Sequence, residues 1–235
     1  MDKERMKNIE NLAETLGYAF GDVNVFELAL THGSYANENP DMAGKDNERF
    51  EFLGDAVLQL CISDMLMEQF PAYDEGQLSK ARAFLVGEQS LAGMARRYGI
   101  GDVILLGKGE EKAAGRNKDS ILGDAFESII GAIYLDGGHE AAFSFIRRAF
   151  RSAVDEWGKK PGNRDFKSLL QEISQDRFKE IPRYRTAGAS GPDHERIFKV
   201  EASIGDRLTT TGTGKNKKEA EQDAARTALE KLDAT

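Results

Sequence analysis

The stretch NERFEFLGDAVLQLC, residues 47–61, carries an acidic stripe on a helix that is otherwise apolar. At ~100° per residue, Glu48, Glu51 and Asp55 fall within an arc of roughly 60°. Phe50, Phe52, Leu53, Ala56, Val57, Leu58, Leu60 and Cys61 cover most of the rest. A solvated helix face is usually broad and mixed in sign. This one is narrow, wholly acidic and hemmed by Phe52 and Leu58.

The pattern returns in SILGDAFESIIGAIYLDGG, residues 120–138, where Asp124 and Glu127 stand three apart beside Ser128 and Gly131. The opposite arc is Ile121, Leu122, Ala125, Phe126, Ile129, Ala132 and Ile133, so these carboxylates also ride on a core helix. If the two stripes face each other, four or five carboxylates surround one spot and need a cation to stay ionised together. Hard oxygen donors select Mg²⁺, with Mn²⁺ as a substitute, over zinc. The three histidines, His32, His139 and His194, have no metal-binding spacing. If the stripes point apart, they instead pair with basic residues such as Arg49 or Lys118. Spacing leaves both arrangements open.

Outward from these helices, apolar residues recur at helical spacing through about 4–16, 24–31, 47–69, 76–84, 88–97, 119–135 and 139–156. The first part of the chain is therefore expected to be all-α. GKKPGNR, 158–164, reads as a linker. After it come a helix near 165–176, three short alternating runs near 183–188, 196–203 and 207–212, and a last helix near 216–232. That order predicts a small α+β domain, α-β-β-β-α, with both helices on one face of an antiparallel sheet. The expected division is 1–157, 158–164 and 165–235.

With 235 residues, 40% of them hydrophobic and 31% charged, the chain can bury sizeable cores and is no disulfide miniprotein. No apolar run approaches the roughly 20 residues of a membrane-spanning helix, and the charged start, MDKERMKNIE, does not read as a secretion signal. The lone Cys61 lies in an apolar run, and a reducing cytoplasm is the expected location. The net charge of −8 hides an asymmetry. Residues 1–159 hold 17 Lys and Arg against 27 Asp and Glu, net −10, whereas 160–235 hold 15 against 13, net +2. The second part is thus the candidate polyanion binder.

In that second part, Gln171 and Gln175 share one face of DFKSLLQEISQ, opposite Phe166, Leu169, Leu170 and Ile173. The loop GPDH, 191–194, joins the first two strands, and GTGKNKKEAE, 212–221, puts Lys215, Lys217 and Lys218 at the start of the last helix. Either that helix start offers free N–H groups to an anion, or Asn216 caps it and the lysines stand in water.

NERFEFLGDAVL resembles the signature of the ribonuclease III family. THGSYANE at 31–38, LSKARA at 78–83 and KDSILGDAFESIIGAIYLDGG at 118–138 follow in that family's order, with Gly33 where members often carry a larger or polar residue. The second part resembles a double-stranded RNA-binding domain, with Asn216 in place of a frequent serine. The resemblance implies a Mg²⁺-dependent, homodimeric endoribonuclease that cuts double-stranded RNA, including rRNA precursors and other structured transcripts. By it, Glu51, Asp55, Asp124 and Glu127 hold catalytic metal, Glu48 supports them from the edge, and Phe52 is an apolar knob that docks on the partner subunit. Gln171, Gln175 and His194 would meet minor grooves, and Lys215, Lys217 and Lys218 the phosphates between them. Two rivals remain at this stage: a non-catalytic binder of double-stranded RNA whose acidic helices form only an interface, and a DNA nuclease.

Overall fold

Two glycines decide how the first part is assembled. In the computed structural model, which describes residues 2–42, 44–159, 166–192 and 196–233, helix α4 (Glu48–Gln69) crosses helix α9 (Asp119–Lys159) backbone against backbone. A Cβ built on Gly54 would stand 1.8 Å from the carbonyl oxygen of Glu127, and one on Gly131 would stand 2.2 Å from that of Phe50. The crossing lies between Glu51 and Asp55 on one helix and one turn beyond Glu127 on the other, so it turns the two acidic stripes toward each other. Gly→Ala inside a helix normally gains up to ~1 kcal/mol. At Gly54 the sign is expected to reverse, with a loss of about 3 kcal/mol from overpacking, which urea unfolding of Gly54→Ala checks.

The chain divides into two compact units, 1–157 and 158–235. Unit one is helical: α1 (Lys3–Leu16), α2 (Val23–Ala29), α3 (Gly33–Glu38), α4, α5 (Glu75–Leu85), α6 (Glu88–Tyr98), α7 (Ile100–Val103), α8 (Lys108–Lys112) and α9. One core joins Leu16, Phe26, Leu58, Ile62, Leu85, Phe126, Phe145 and Phe150, all essentially inaccessible. Helix ends obey local chemistry. Asp2 accepts the Arg5 N–H at 2.8 Å to start α1, Gly17 ends it with φ 66°, and Asp74 and Gln77 form a reciprocal box at the start of α5.

The helices expected at 119–135 and 139–156 are both present, joined in one run by a kink at Gly138 (φ 77°, ψ −173°). Asp136, just before that break, accepts hydrogen bonds from the Tyr18 hydroxyl (2.7 Å) and from the N–H groups of Gly21 (2.9 Å) and Asp22 (3.0 Å), fixing the bend against the α1–α2 turn. This run also continues through Gly158 and Lys159, the first two residues of the expected linker, while 160–165 lie outside the described residues. The apolar arc of α4 is not all core. Leu58, Cys61 and Ile62 are buried, but Phe52 is 81% exposed, and Leu60 and Met67 continue the exposed stripe down the helix. Among the described residues, no helix is long and apolar enough to cross a membrane.

Unit two runs α10 (Phe166–Phe178), β1 (Arg183–Ser190), β2 (Ile197–Ile204), β3 (Leu208–Gly214) and α11 (Lys217–Asp233). The sheet is antiparallel in the order β1-β2-β3. On β2, Val200, Ala202 and Ile204 alternate inward, and Ile204 packs with Leu170 of α10 and with Ala225, Ala228 and Leu229 of α11. Gly212 lets β3 approach α11 closely, since a Cβ there would lie 2.0 Å from the Ala224 nitrogen.

Candidate active site

The start of α4 is tied down from two sides. The Asn47 N–H donates to the Thr31 carbonyl at 2.9 Å, and the Asn47 carbonyl accepts from the buried Ser128 hydroxyl of α9 at 3.2 Å. Ser128 also donates to the Asp124 carbonyl at 2.8 Å, so the first turn of α4 and the acidic turn of α9 are held together by one side chain. Ser128 was notable in the sequence only as a small neighbour of the carboxylates.

With the Gly54–Gly131 crossing, this tether gathers Glu51, Asp124 and Glu127 into one cluster, with one carboxylate oxygen from each lying within 4.8 Å of the others. Asp55, one turn on, stays outside that trio, and its Oδ1 accepts from Gln59 Nε2 at 2.7 Å. Glu48 is exposed at the edge. Neither Arg49 nor Lys118 pairs with these carboxylates among the described residues; Lys118 is bound to Glu110 at 2.7 Å. The arrangement in which the stripes point apart is therefore not the one adopted.

Burial and crowding of like charge act together here. Burial chiefly, then the charges of Asp55, Glu51 and Asp124, push the Glu127 carboxyl up to about 8. Glu51 is raised by burial first and by Asp124, Glu48 and Asp55 after it. Asp124 is raised by burial, with Glu88 adding to the effect and His32 opposing it. Half-buried hard-oxygen donors with unrelieved mutual repulsion fit a divalent cation.

These shifts carry a stability consequence whose sign is definite. The folded carboxyl of Glu127 holds its proton to about 8, whereas the ordinary value is 4.5, so its contribution is fully present below the ordinary value and is lost as pH rises through about 8. Without a cation, the protein is expected to lose stability between those limits. At pH 8 in chelator, Glu127→Gln should melt a few °C above the parent, a gap of roughly 1 kcal/mol once the shift is discounted for solvent screening at this half-buried carboxyl, and the gap should close near pH 5. Added divalent cation should raise the parent's melting temperature and leave the variant nearly unmoved. Calorimetric melts across pH check both.

Sequence reasoning missed two neighbours of the cluster. His32 and Glu88 both act electrostatically on Asp124. Glu88 opens α6, and its carbonyl lies 3.8 Å from where a Cβ on Gly123 would sit, next to Asp124. No second histidine lies near His32 in sequence; only the fold places it beside the carboxylates.

In unit two, Gln171 and Gln175 are exposed on α10, Lys215 and Lys217 are exposed, and Lys218 is half-buried. His194 lies outside the described residues. The start of α11 is the capped alternative. Asn216 Oδ1 accepts the Glu219 N–H at 2.8 Å, and the Glu219 carboxylate accepts from the Lys215 N–H and from Asn216 Nδ2, each at 2.9 Å. Side chains of the unit itself thus cap that end of the helix, with Lys215 and Lys217 exposed beside it.

Comparison with known proteins bears on both units. Residues 22–153 match a family model described as ribonuclease-III-like, and 166–232 match one described as a double-stranded RNA binding motif. The chain is 47% identical over 224 residues to ribonuclease 3 of Oleidesulfovibrio alaskensis, covering 95% of this chain and 97% of that one. With ribonuclease 3 of Myxococcus xanthus it shares 44% over 226 residues, 96% of this chain and 87% of that. Among solved structures, a nuclease domain of ribonuclease III from Campylobacter jejuni, described for flexibility in a region involved in dimer formation, superposes with a TM-score of 0.58 at 44% identity. The match covers 61% of this chain and 96% of that chain.

Proposed function

This chain belongs to the ribonuclease III family, and from that premise we propose how its residues share the work of an endoribonuclease specific for double-stranded RNA. The observation that carries the reading is the trio Glu51, Asp124 and Glu127, with carboxylate oxygens within 4.8 Å of one another on two helices locked backbone to backbone. These three hold Mg²⁺, or Mn²⁺ in its place, and Asp55 completes the set from the next turn of α4. Glu48 supports Glu51 from the edge. The bound cation supplies three things: activation of water, charge neutralisation on the phosphate and stabilisation of the departing 3′-oxygen. The chain's own part is to fix four carboxylates on a rigid crossing, so that the cation and the strand meet in one geometry.

Hydrolysis by water yields 5′-phosphate and 3′-hydroxyl ends. A 2′-hydroxyl mechanism would leave cyclic phosphates and calls for paired proton carriers, whereas His32 and His139 are the two described histidines and only His32 adjoins the cluster. End-group analysis of the cleaved duplex tests this, and 2′,3′-cyclic phosphate termini would overturn it.

Substrate choice rests on unit two. Gln171 and Gln175, with His194, meet the 2′-hydroxyls and base edges of successive minor grooves, and Lys215, Lys217 and Lys218 meet the phosphates across the intervening major groove. This selects A-form RNA by shape, suited to rRNA precursors and other structured transcripts in the cytoplasm.

Two antiparallel strands call for two sites related by a twofold axis, hence a homodimer. The exposed apolar stripe Phe52, Leu60 and Met67 along α4 supplies a surface for it, with Phe52 as the knob. Phe52→Glu is expected to leave the melting of each protomer's core nearly unchanged and to convert the dimer to monomer, seen by light scattering. A dimer that survives the substitution would remove Phe52 from the interface.

A further inference from the structure

His32 is held in a way that fixes which of its nitrogens carries the proton. Its N–H donates to the Leu105 carbonyl at 3.0 Å, while the neighbouring Thr31 carbonyl takes the Asn47 N–H at 2.9 Å, so the turn is pinned between the 104–106 segment and the start of α4. On the ring, Nδ1 accepts the Ser34 N–H at 3.2 Å and lies 2.8 Å from the Ser34 hydroxyl oxygen. That oxygen accepts the Gly107 N–H at 2.9 Å, and its own hydrogen can turn to Nδ1. With the Ser34 N–H aimed at the one in-plane lone pair of Nδ1, the neutral ring carries its hydrogen on Nε2. Among the described residues, Nε2 has no hydrogen-bond partner.

The turn also abuts the carboxylates. A Cβ on Gly33 would stand 3.5 Å from Glu48 Oε1, and the ring lies within electrostatic reach of Asp124, although no hydrogen bond joins the two. A fixed N–H donor at the rim of an acidic, cation-holding cluster is matched by a phosphate, whose non-bridging oxygens need donors on the side away from the cation. Lys118, the nearby cation, is engaged by Glu110.

We propose that His32 is a catalytic residue that touches the substrate, its Nε2–H donating to a non-bridging oxygen of the phosphate seated at Glu51, Asp124 and Glu127. The assignment rests on the endoribonuclease reading above. His32 has a second, structural task as N-cap of α3, and two substitutions separate the tasks. Asn places an acceptor where Nδ1 is and keeps the cap but has no group at Nε2. Gln places an amide N–H near Nε2.

His32→Asn is expected to lower kcat by about 10²-fold, the usual cost of one fixed donor to developing charge. Duplex affinity and Mn²⁺ affinity without RNA, measured by calorimetry, should be unchanged. His32→Gln should stay within about tenfold of the parent. Replacing the accepting oxygen with sulfur in a phosphorothioate duplex should slow the parent and add little to the slowing already caused by His32→Asn.

Equal activity in Asn, Gln and parent overturns the assignment, as do equal losses in Asn and Gln or a parallel fall in Mn²⁺ affinity. A parent protein that cuts no duplex RNA overturns the functional reading and this assignment together. A cutting parent with any of those variant patterns overturns the role of His32 alone.

Discussion

Glu127→Gln is expected to abolish cleavage while duplex RNA binds as before. The substitution removes a charge from the proposed metal site but almost no volume, on a helix whose packing at Gly131 and Phe126 does not depend on the carboxylate. Losing a group that merely orients a ligand costs about 10- to 100-fold. Losing one of the four proposed ligands outright is expected to cost more, on the order of 10³-fold in kcat. Binding is carried by unit two, which the change does not touch. Mixed dimers of parent and Glu127→Gln chains should nick one strand of a duplex in place of a double cut with short 3′ overhangs. Single-turnover kinetics on a labelled duplex, with gel-shift binding alongside, read both expectations. Near-parental turnover at ordinary Mg²⁺ would remove Glu127 from the site.

The second large effect is expected from deleting residues 160–235. Unit one keeps its own core and all four carboxylates, so it should fold and retain metal-dependent hydrolysis at low salt. Its charge works against it, because residues 1–159 carry a net −10 and repel a polyanion. Removal of Lys215, Lys217 and Lys218 alone should lower the slope of log affinity against log salt by roughly 3, at about 0.9 per phosphate contact. Affinity at physiological salt should fall by about 10²-fold or more. A folded fragment that cuts under no salt or metal condition would contradict the division of labour between the units.

Much of this was legible in the sequence because helical and strand periods are local. The runs at 47–69, 88–97, 183–188 and 207–212 announce their elements through spacing alone, and the acidic stripe of 47–61 was visible because an apolar frame surrounded it. Three features were not legible, each because it depends on contacts between distant segments. Gly54 is unremarked in a helix until Glu127 of another helix lies against it. His32 has only Ser34 for a partner nearby in sequence and comes beside Leu105 and Asp124 only through the fold. The exposure of Phe52 could not be told from core packing, since a helix wheel shows which residues share a face and not what covers that face. Short helices such as α3, α7 and α8 span too few residues to show a period at all.

The central claim is that a four-carboxylate cation site and an A-form-reading domain make this chain a nuclease for double-stranded RNA. One assay tests it most directly: the purified protein is incubated with duplex RNA, duplex DNA and single-stranded RNA of one sequence, each with Mg²⁺ and with chelator. The account predicts cutting of duplex RNA with Mg²⁺ and of nothing else. Cutting of duplex DNA at a comparable rate, or of duplex RNA in chelator, would contradict it.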